Sequence, residues 1–333
     1  MLSAAALSAC RSPSMQAPQD EFAEYARGLR EKISASHSPE LANSPGIIAA
    51  EQRSGDIVIF RAGSDWNKPE NQLWRCNAAK CGGVKKECAR WFGYVSDCKP
   101  VLGCTHVLAS FSNGGVALIR VSDKRVVFYA HAGRNPHSAC MLPDGNIVAV
   151  SSSDNRLTVY AASKRKDGEP CREFVSYPLD FAHGAVWDAR QKLLWAIARG
   201  ELAAYEYNFD KYNPRLIKKF SCALPPEGVV GHDLYPAPGT RYLFYTGNGG
   251  VGVFDTVSRR FAKISGERAI KSVSMSKPDG AVIFLKPEEK WWADHISNAN
   301  AALTVAGFLR GARFYKARWF VADAFSEGEK PRE

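Results

Sequence analysis

The layout of residues 135–150 (NPHSACMLPDGNIVAV) constrains this chain more than any other feature, because it returns three times downstream. A polar group opens the unit, a short strand follows, a Pro/Gly turn reverses the chain, and a second apolar strand completes it. His137, His183, His232 and Ser272 align without gaps, and at one fixed offset beyond them lie Gly145, Gln191, Thr240 and Gly280. The apolar runs 147–150, 193–196, 242–245 and 282–285 come next. A strand-rich unit recurring every 40–50 residues or so is how propeller blades look in sequence.

Repetition of that kind predicts one domain, since each blade buries its faces only against its neighbours. The fold class expected is all-β, a six-bladed β-propeller over 47–322, or seven-bladed if 76–98 or 295–312 hides strands. Residues 47–52 and 56–60 form a hairpin around Ser54-Gly55. Residues 107–110, 115–120 and 125–129 supply a blade with Asn113-Gly114 as its turn. The next three blades are expected at about 133–162, 180–208 and 229–262, and the sixth from near Ala269 to Trp292. Residues 313–322 are strand-like without a blade of their own. Pairing them with 47–60 closes the ring and removes free sheet edges. Upstream, Asp20 is an N-cap, and Phe22, Tyr25, Ala26, Leu29 and Ile33 share one stripe, so 20–34 reads as a short amphipathic helix packed outside the ring.

Residues 1–19 read as a signal segment and tether. Met1 to Ala9 is small and apolar, Leu7-Ser8-Ala9-Cys10 fits a bacterial lipobox with Cys10 lipidated, and 11–19 is a flexible linker. The expected setting is an exported bacterial protein, periplasmic or cell-surface, touching the membrane only through that anchor. No later run has the length to span a bilayer. Among the other cysteines, Cys76, Cys81, Cys88 and Cys98 cluster in a Lys- and Gly-rich segment. A local disulfide is favoured there over zinc, because C-x-x-C is missing. The net charge of +10 admits an anionic partner. The basic residues are scattered, without a stripe of interleaved aromatics, so nucleic acid is not expected. A monomer is expected.

Several stretches, taken in order, resemble a known family. They are 114–119 (GGVALI), 135–139 (NPHSA) with 142–146 (LPDGN), 182–188 (AHGAVWD), 231–234 (GHDL), 271–274 (KSVS), 286–292 (KPEEKWW) and 314–319 (FYKARW). The set resembles an uncharacterised family of bacterial secreted six-bladed β-propellers, known as a domain of unknown function. The resemblance implies that fold and an exported, often glycan-related setting. It supplies neither a reaction nor catalytic residues.

Equivalent positions on the innermost strands of a propeller converge on the axis, so groups far apart in sequence become neighbours around one funnel, where ligands commonly sit. That ring is expected to hold His137, His183 and His232 on consecutive blades, Lys271 and Lys316 on the next two beside Ser272 and Ala317, and Lys99 on the remaining one. Three readings stand. Each histidine bonds a local partner such as Ser138, Asp188 or Asp233; or imidazole and ammonium groups together attract a carboxylate, phosphate or sulfate; or the three imidazoles hold a divalent transition metal with an open position. With a lysine base, such an ion supports β-elimination from a uronate, a design analogous to propeller-type oligogalacturonate lyases. A nucleophile elbow, a P-loop and a dinucleotide fingerprint are all missing, and Glu288 and Glu289, being adjacent, point to opposite strand faces. The expectation is an exported propeller binding a small anionic or carbohydrate ligand in its axial funnel. The alternatives are a metal-assisted lyase or hydrolase of acidic sugars and a non-catalytic protein-interaction scaffold.

Overall fold

Six times, short apolar strands pair antiparallel into a four-stranded sheet, in a computed structural model whose described residues are 20–328. The lipobox and Cys10 lie outside the described residues. The first blade contains β1 (Ile47–Glu51), β2 (Asp56–Phe60) and β3 (Gln72–Cys76), and the second contains β4 (Val95–Val101), β5 (His106–Phe111), β6 (Gly115–Arg120) and β7 (Val126–His131). The third runs through β8 (Pro136–Met141), β9 (Ile147–Ser151), β10 (Arg156–Tyr160) and β11 (Phe174–Pro178). The fourth runs through β12 (Gly184–Asp188), β13 (Leu193–Ile197), β14 (Glu201–Tyr207) and β15 (Leu216–Ala223). The fifth has β16 (Gly231–Pro236), β17 (Tyr242–Gly247), β18 (Gly250–Asp255) and β19 (Phe261–Ser265), and the sixth has β20 (Ser272–Met275), β21 (Val282–Leu285), β22 (His295–Asn298) and β23 (Val305–Phe308).

The last strand, β24 (Phe314–Trp319), pairs with β1 in the register Ile47↔Trp319 and Ala49↔Ala317, and so becomes the innermost strand of the first blade. Inner strands β4, β8, β12, β16, β20 and β24 each touch the next, and β24 touches β4. The ring is closed by both ends of the chain, as expected, and has six blades. The segment 295–312 does carry hidden strands, but β22 and β23 complete the sixth blade rather than founding a seventh. Among the described residues, the stretch 76–98 hides no further strand: between the end of β3 and the start of β4 it connects blades one and two through a 3-10 turn at Lys86–Phe92.

Strands near the axis are buried on both faces, so they read as continuous apolar runs. Outer strands β11 and β15 are largely exposed, which is why the third and fourth blades extend beyond their expected ends. Between blades one and six the fit is tight. Trp66 stacks on Phe60 at 4.1 Å, and a Cβ on Gly307 would lie 2.0 Å from the Trp66 ring. Helix α1 (Glu21–Ser34) starts where the Asp20 carboxylate accepts from Ala23 N, and it buries Phe22, Ala26, Leu29 and Ile33 against the fifth and sixth blades. All eight described cysteines are free thiols. The local disulfide is not formed; Cys76, Cys88 and Cys98 pack as apolar groups in the core between blades one and two.

Candidate functional site at the axis

Local irregularity of the inner strands, repeated from blade to blade, decides which side chains meet. In β4, β8 and β16 the ladder slips between Val95 and Asp97, Pro136 and Ser138, and Gly231 and Asp233. Each slip is a β-bulge, and the extra residue is Ser96, His137 or His232. The slip in β24 spans Tyr315 and Lys316. In blades four and six the matching residue sits just ahead of the strand: His183 N donates to Ile197 O at 3.0 Å and Lys271 N to Leu285 O at 2.8 Å. Together these six positions form one layer at the mouth where the inner strands begin: Ser96, His137, His183, His232, Lys271 and Tyr315.

The three imidazoles do meet there. His137 and His183 stack with centroids 4.3 Å apart and planes 12° from parallel, and His232 stands edge-on to His183 at 5.6 Å. His183 Nδ1 donates to Phe181 O at 2.7 Å, which leaves Nε2 with its lone pair. His232 Nε2 lies 2.5 Å from Asn248 Oδ1 and 3.2 Å from Lys271 Nζ, and its Nδ1 is buried without a partner among the described residues. The Tyr315 hydroxyl reaches His137 Nδ1 at 3.2 Å. Burial and then neighbouring cations hold all three rings neutral, His183 pushed down to about 3, His232 to about 4, and His137 well below the ordinary imidazole range. Burial and the Lys316 ammonium bring Lys271 down to about 8.

Beneath this layer lies a buried ion cluster. Arg318 donates to both Asp233 oxygens at 2.6 Å and to Asp97 Oδ1 at 3.2 Å, while Lys316 Nζ donates to Asp233 Oδ1 at 3.0 Å and to His137 O at 3.2 Å. Burial alone would raise Asp233, but Arg318 and Lys316 outweigh it and hold the carboxyl well below its ordinary value. The cluster plugs the axis. Below it, at the mouth where the inner strands end, a cavity of about 650 Å³ opens among Lys99, Cys140, Val186, Trp187 and Tyr235.

The expected ring therefore divides. His137, His183, His232 and Lys271 share the first mouth. Lys99 does not join them: two residues further along β4 than Asp97, its ammonium donates to Ser138 Oγ (2.8 Å) and Ala185 O (2.9 Å) and lines the opposite cavity. Lys316 is fully buried in the ion cluster, and Ser272 Oγ accepts from Ala317 N at 3.0 Å, tying blade six to blade one. The three histidines do not bring their ligand nitrogens within 4.8 Å of one another, His137 and His183 meeting face to face and His232 edge-on. Among the described residues only Glu288, Asp294 and His295 bring ligand atoms within 4.8 Å of one another. Sequence reasoning missed Tyr315, Asp97 and Arg318. The FYKARW match offered a signal, since Tyr315 and Arg318 flank the chosen Lys316.

A family model described as a family of unknown function (DUF6528) matches residues 48–332. No curated protein matches the chain. Among solved structures, hydrazine synthase of Kuenenia stuttgartiensis is similar at 13% identity and a TM-score of 0.42, over 61% of this chain and 61% of that one.

Proposed function

We propose, from the premise that the chain belongs to that family of unknown function, that the histidine-lined mouth binds a small anionic ligand end-on, by a carboxylate, phosphate or sulfate group. One observation supports this most. The Lys271 ammonium is desolvated beside His232 and has no carboxylate within salt-bridge distance among the described residues, while Arg318 and Lys316 engage Asp97 and Asp233. A buried unpaired charge is costly, and an entering anion supplies its counter-charge. Lys271 (9% exposed) and His232 (7%) are the most open members of the ring, which suits entry by a charged group whose carrier stays outside. An acidic saccharide has that form.

Titration calorimetry with galacturonate, sialic acid, a sulfated monosaccharide and inorganic phosphate, each against a neutral counterpart, tests the reading. Binding of at least one anion, lost in Lys271→Met, is expected. Equal response to galactose and galacturonate, or no change in the variant, overturns it and favours the scaffold. The depressed Lys271 also favours a second reading, proton abstraction in β-elimination from a uronate, for which an ammonium near 8 is a competent base once deprotonated. Formation of unsaturated product from oligouronides is its readout. The reading includes an exported, lipid-anchored setting; Cys10→Ala should then move the protein from the membrane to the soluble fraction.

A further inference from the structure

The cavity at the other mouth differs in chemistry from the histidine layer and is cut off from it by the ion cluster. Its volume of about 650 Å³ falls within the range of small-molecule sites. Its walls are apolar: Leu108, Leu118, Met141, Leu142 and Trp187 line it, with the half-exposed Phe209 at its rim. Its polar lining includes two donors, Lys99 and Tyr235, together with Lys192, Ser326 and the carboxylates Asp323 and Glu327. Lys99 Nζ gives two N–H groups to Ser138 Oγ and Ala185 O, and its third has no acceptor within hydrogen-bonding distance, Asp97 lying 3.8 Å away. Tyr235 is 94% buried by its 6% exposure, lines the cavity, and its hydroxyl makes no hydrogen bond among the described residues. The Arg318 guanidinium stacks 4.2 Å over the Tyr235 ring, its charge met by Asp97 and Asp233. Of the acidic groups of the lining, Glu327 accepts from Gly103 N, and Asp323 Oδ1 accepts from Ser326 N while its charge also acts on Tyr235 and is offset by Lys99.

A hydroxyl and an ammonium N–H that face a cavity without a protein acceptor are free to donate to a ligand that enters it. We infer that this cavity is a second binding site, for a monocarboxylate with an apolar body, its carboxylate held by Lys99 Nζ and the Tyr235 hydroxyl and its body by the Leu/Met/Trp walls. An alcohol of equal length would keep the wall contacts and lose the charge-assisted bonds.

Calorimetry with decanoate and decanol on the whole protein tests this. Decanoate should bind saturably at one site, and Tyr235→Phe, which removes only the hydroxyl, should weaken it about tenfold while leaving decanol unchanged. Lys99→Met should weaken decanoate at least as much, and Lys271→Met, at the far mouth, should leave it unaltered. Absence of saturable decanoate binding overturns the inference. So does binding lost in Lys271→Met yet retained in Tyr235→Phe, or decanol weakened by Tyr235→Phe as much as decanoate.

Discussion

His137 and His183, on neighbouring blades, lie face to face with their ring centroids 4.3 Å apart and both rings buried. Two imidazolium ions cannot share that geometry, since like charges at such a distance in a desolvated site repel strongly. The stack is a device that tolerates only neutral rings, and it makes the fold acid-sensitive.

Stability should therefore fall as pH drops from about 6.5 toward 4. The sign follows from linkage: the unfolded chain protonates its histidines near 6.5, whereas folded His183 and His232 take protons only near 3 and 4. The unfolded state then binds more protons across that window. Each of the two rings accounts for a loss of roughly 3 kcal/mol by pH 4. Asp233, held low, contributes its own loss only below the ordinary carboxylate range. Calorimetric Tm between pH 7 and 4 should decline steeply and decline less in His232→Asn; a flat profile contradicts the neutral stack.

Lys271→Met should leave Tm unchanged or raise it. The ammonium is desolvated and lacks a carboxylate partner among the described residues, so an apolar isostere removes a penalty. Anion affinity should meanwhile fall tenfold or more, roughly the worth of one charge-assisted bond. In the wild type, affinity should decline as pH rises through about 8, where Lys271 loses its proton. A variant both unstable and competent in binding would invert this account.

Arg318→Met should destabilise the protein by roughly 3–5 kcal/mol, because it strands the Asp97 and Asp233 carboxylates in the interior. Adding Asp233→Asn should recover part of that loss, since Lys316 remains for Asp97 at 3.9 Å. Urea denaturation of both variants measures the coupling, and additive losses would mean the cluster does not act as a unit.

Gly307→Ala should cost roughly 1–3 kcal/mol through overpacking, because the new methyl group meets the Trp66 ring. Gly266→Ala, with nothing within 4 Å, serves as the control. Equal Tm values for the two would show that blades one and six have room for the added methyl group.

Blade number, ring closure and the meeting of the three histidines were legible because inner strands keep both an apolar run and a polar opening residue, and both survive as pattern. Depth along the axis was not. A strand places every second residue on the same side, so Lys99, two positions past Asp97, lies nearer the far mouth than the residue that aligns with His137. The bulges that put His137, His232 and Tyr315 on one level leave no compositional trace. Strands β22 and β23 could be suspected within 295–312 but not placed, because HISN and VAGF are short and not strongly apolar. Arg318 carried no role in the sequence; its position between two aspartates gives it one.

The placement of β24 ties the chemistry of the axis to the order in which the chain is made. Lys316 and Arg318 arrive on β24, after Asp97 and Asp233 are already present on β4 and β16. Until that strand inserts, Asp97 and Asp233 lack the guanidinium that bridges them in the closed ring. Closure of the ring thus carries its own electrostatic latch, and a chain stopped after Arg313 should stay open and yield readily to protease.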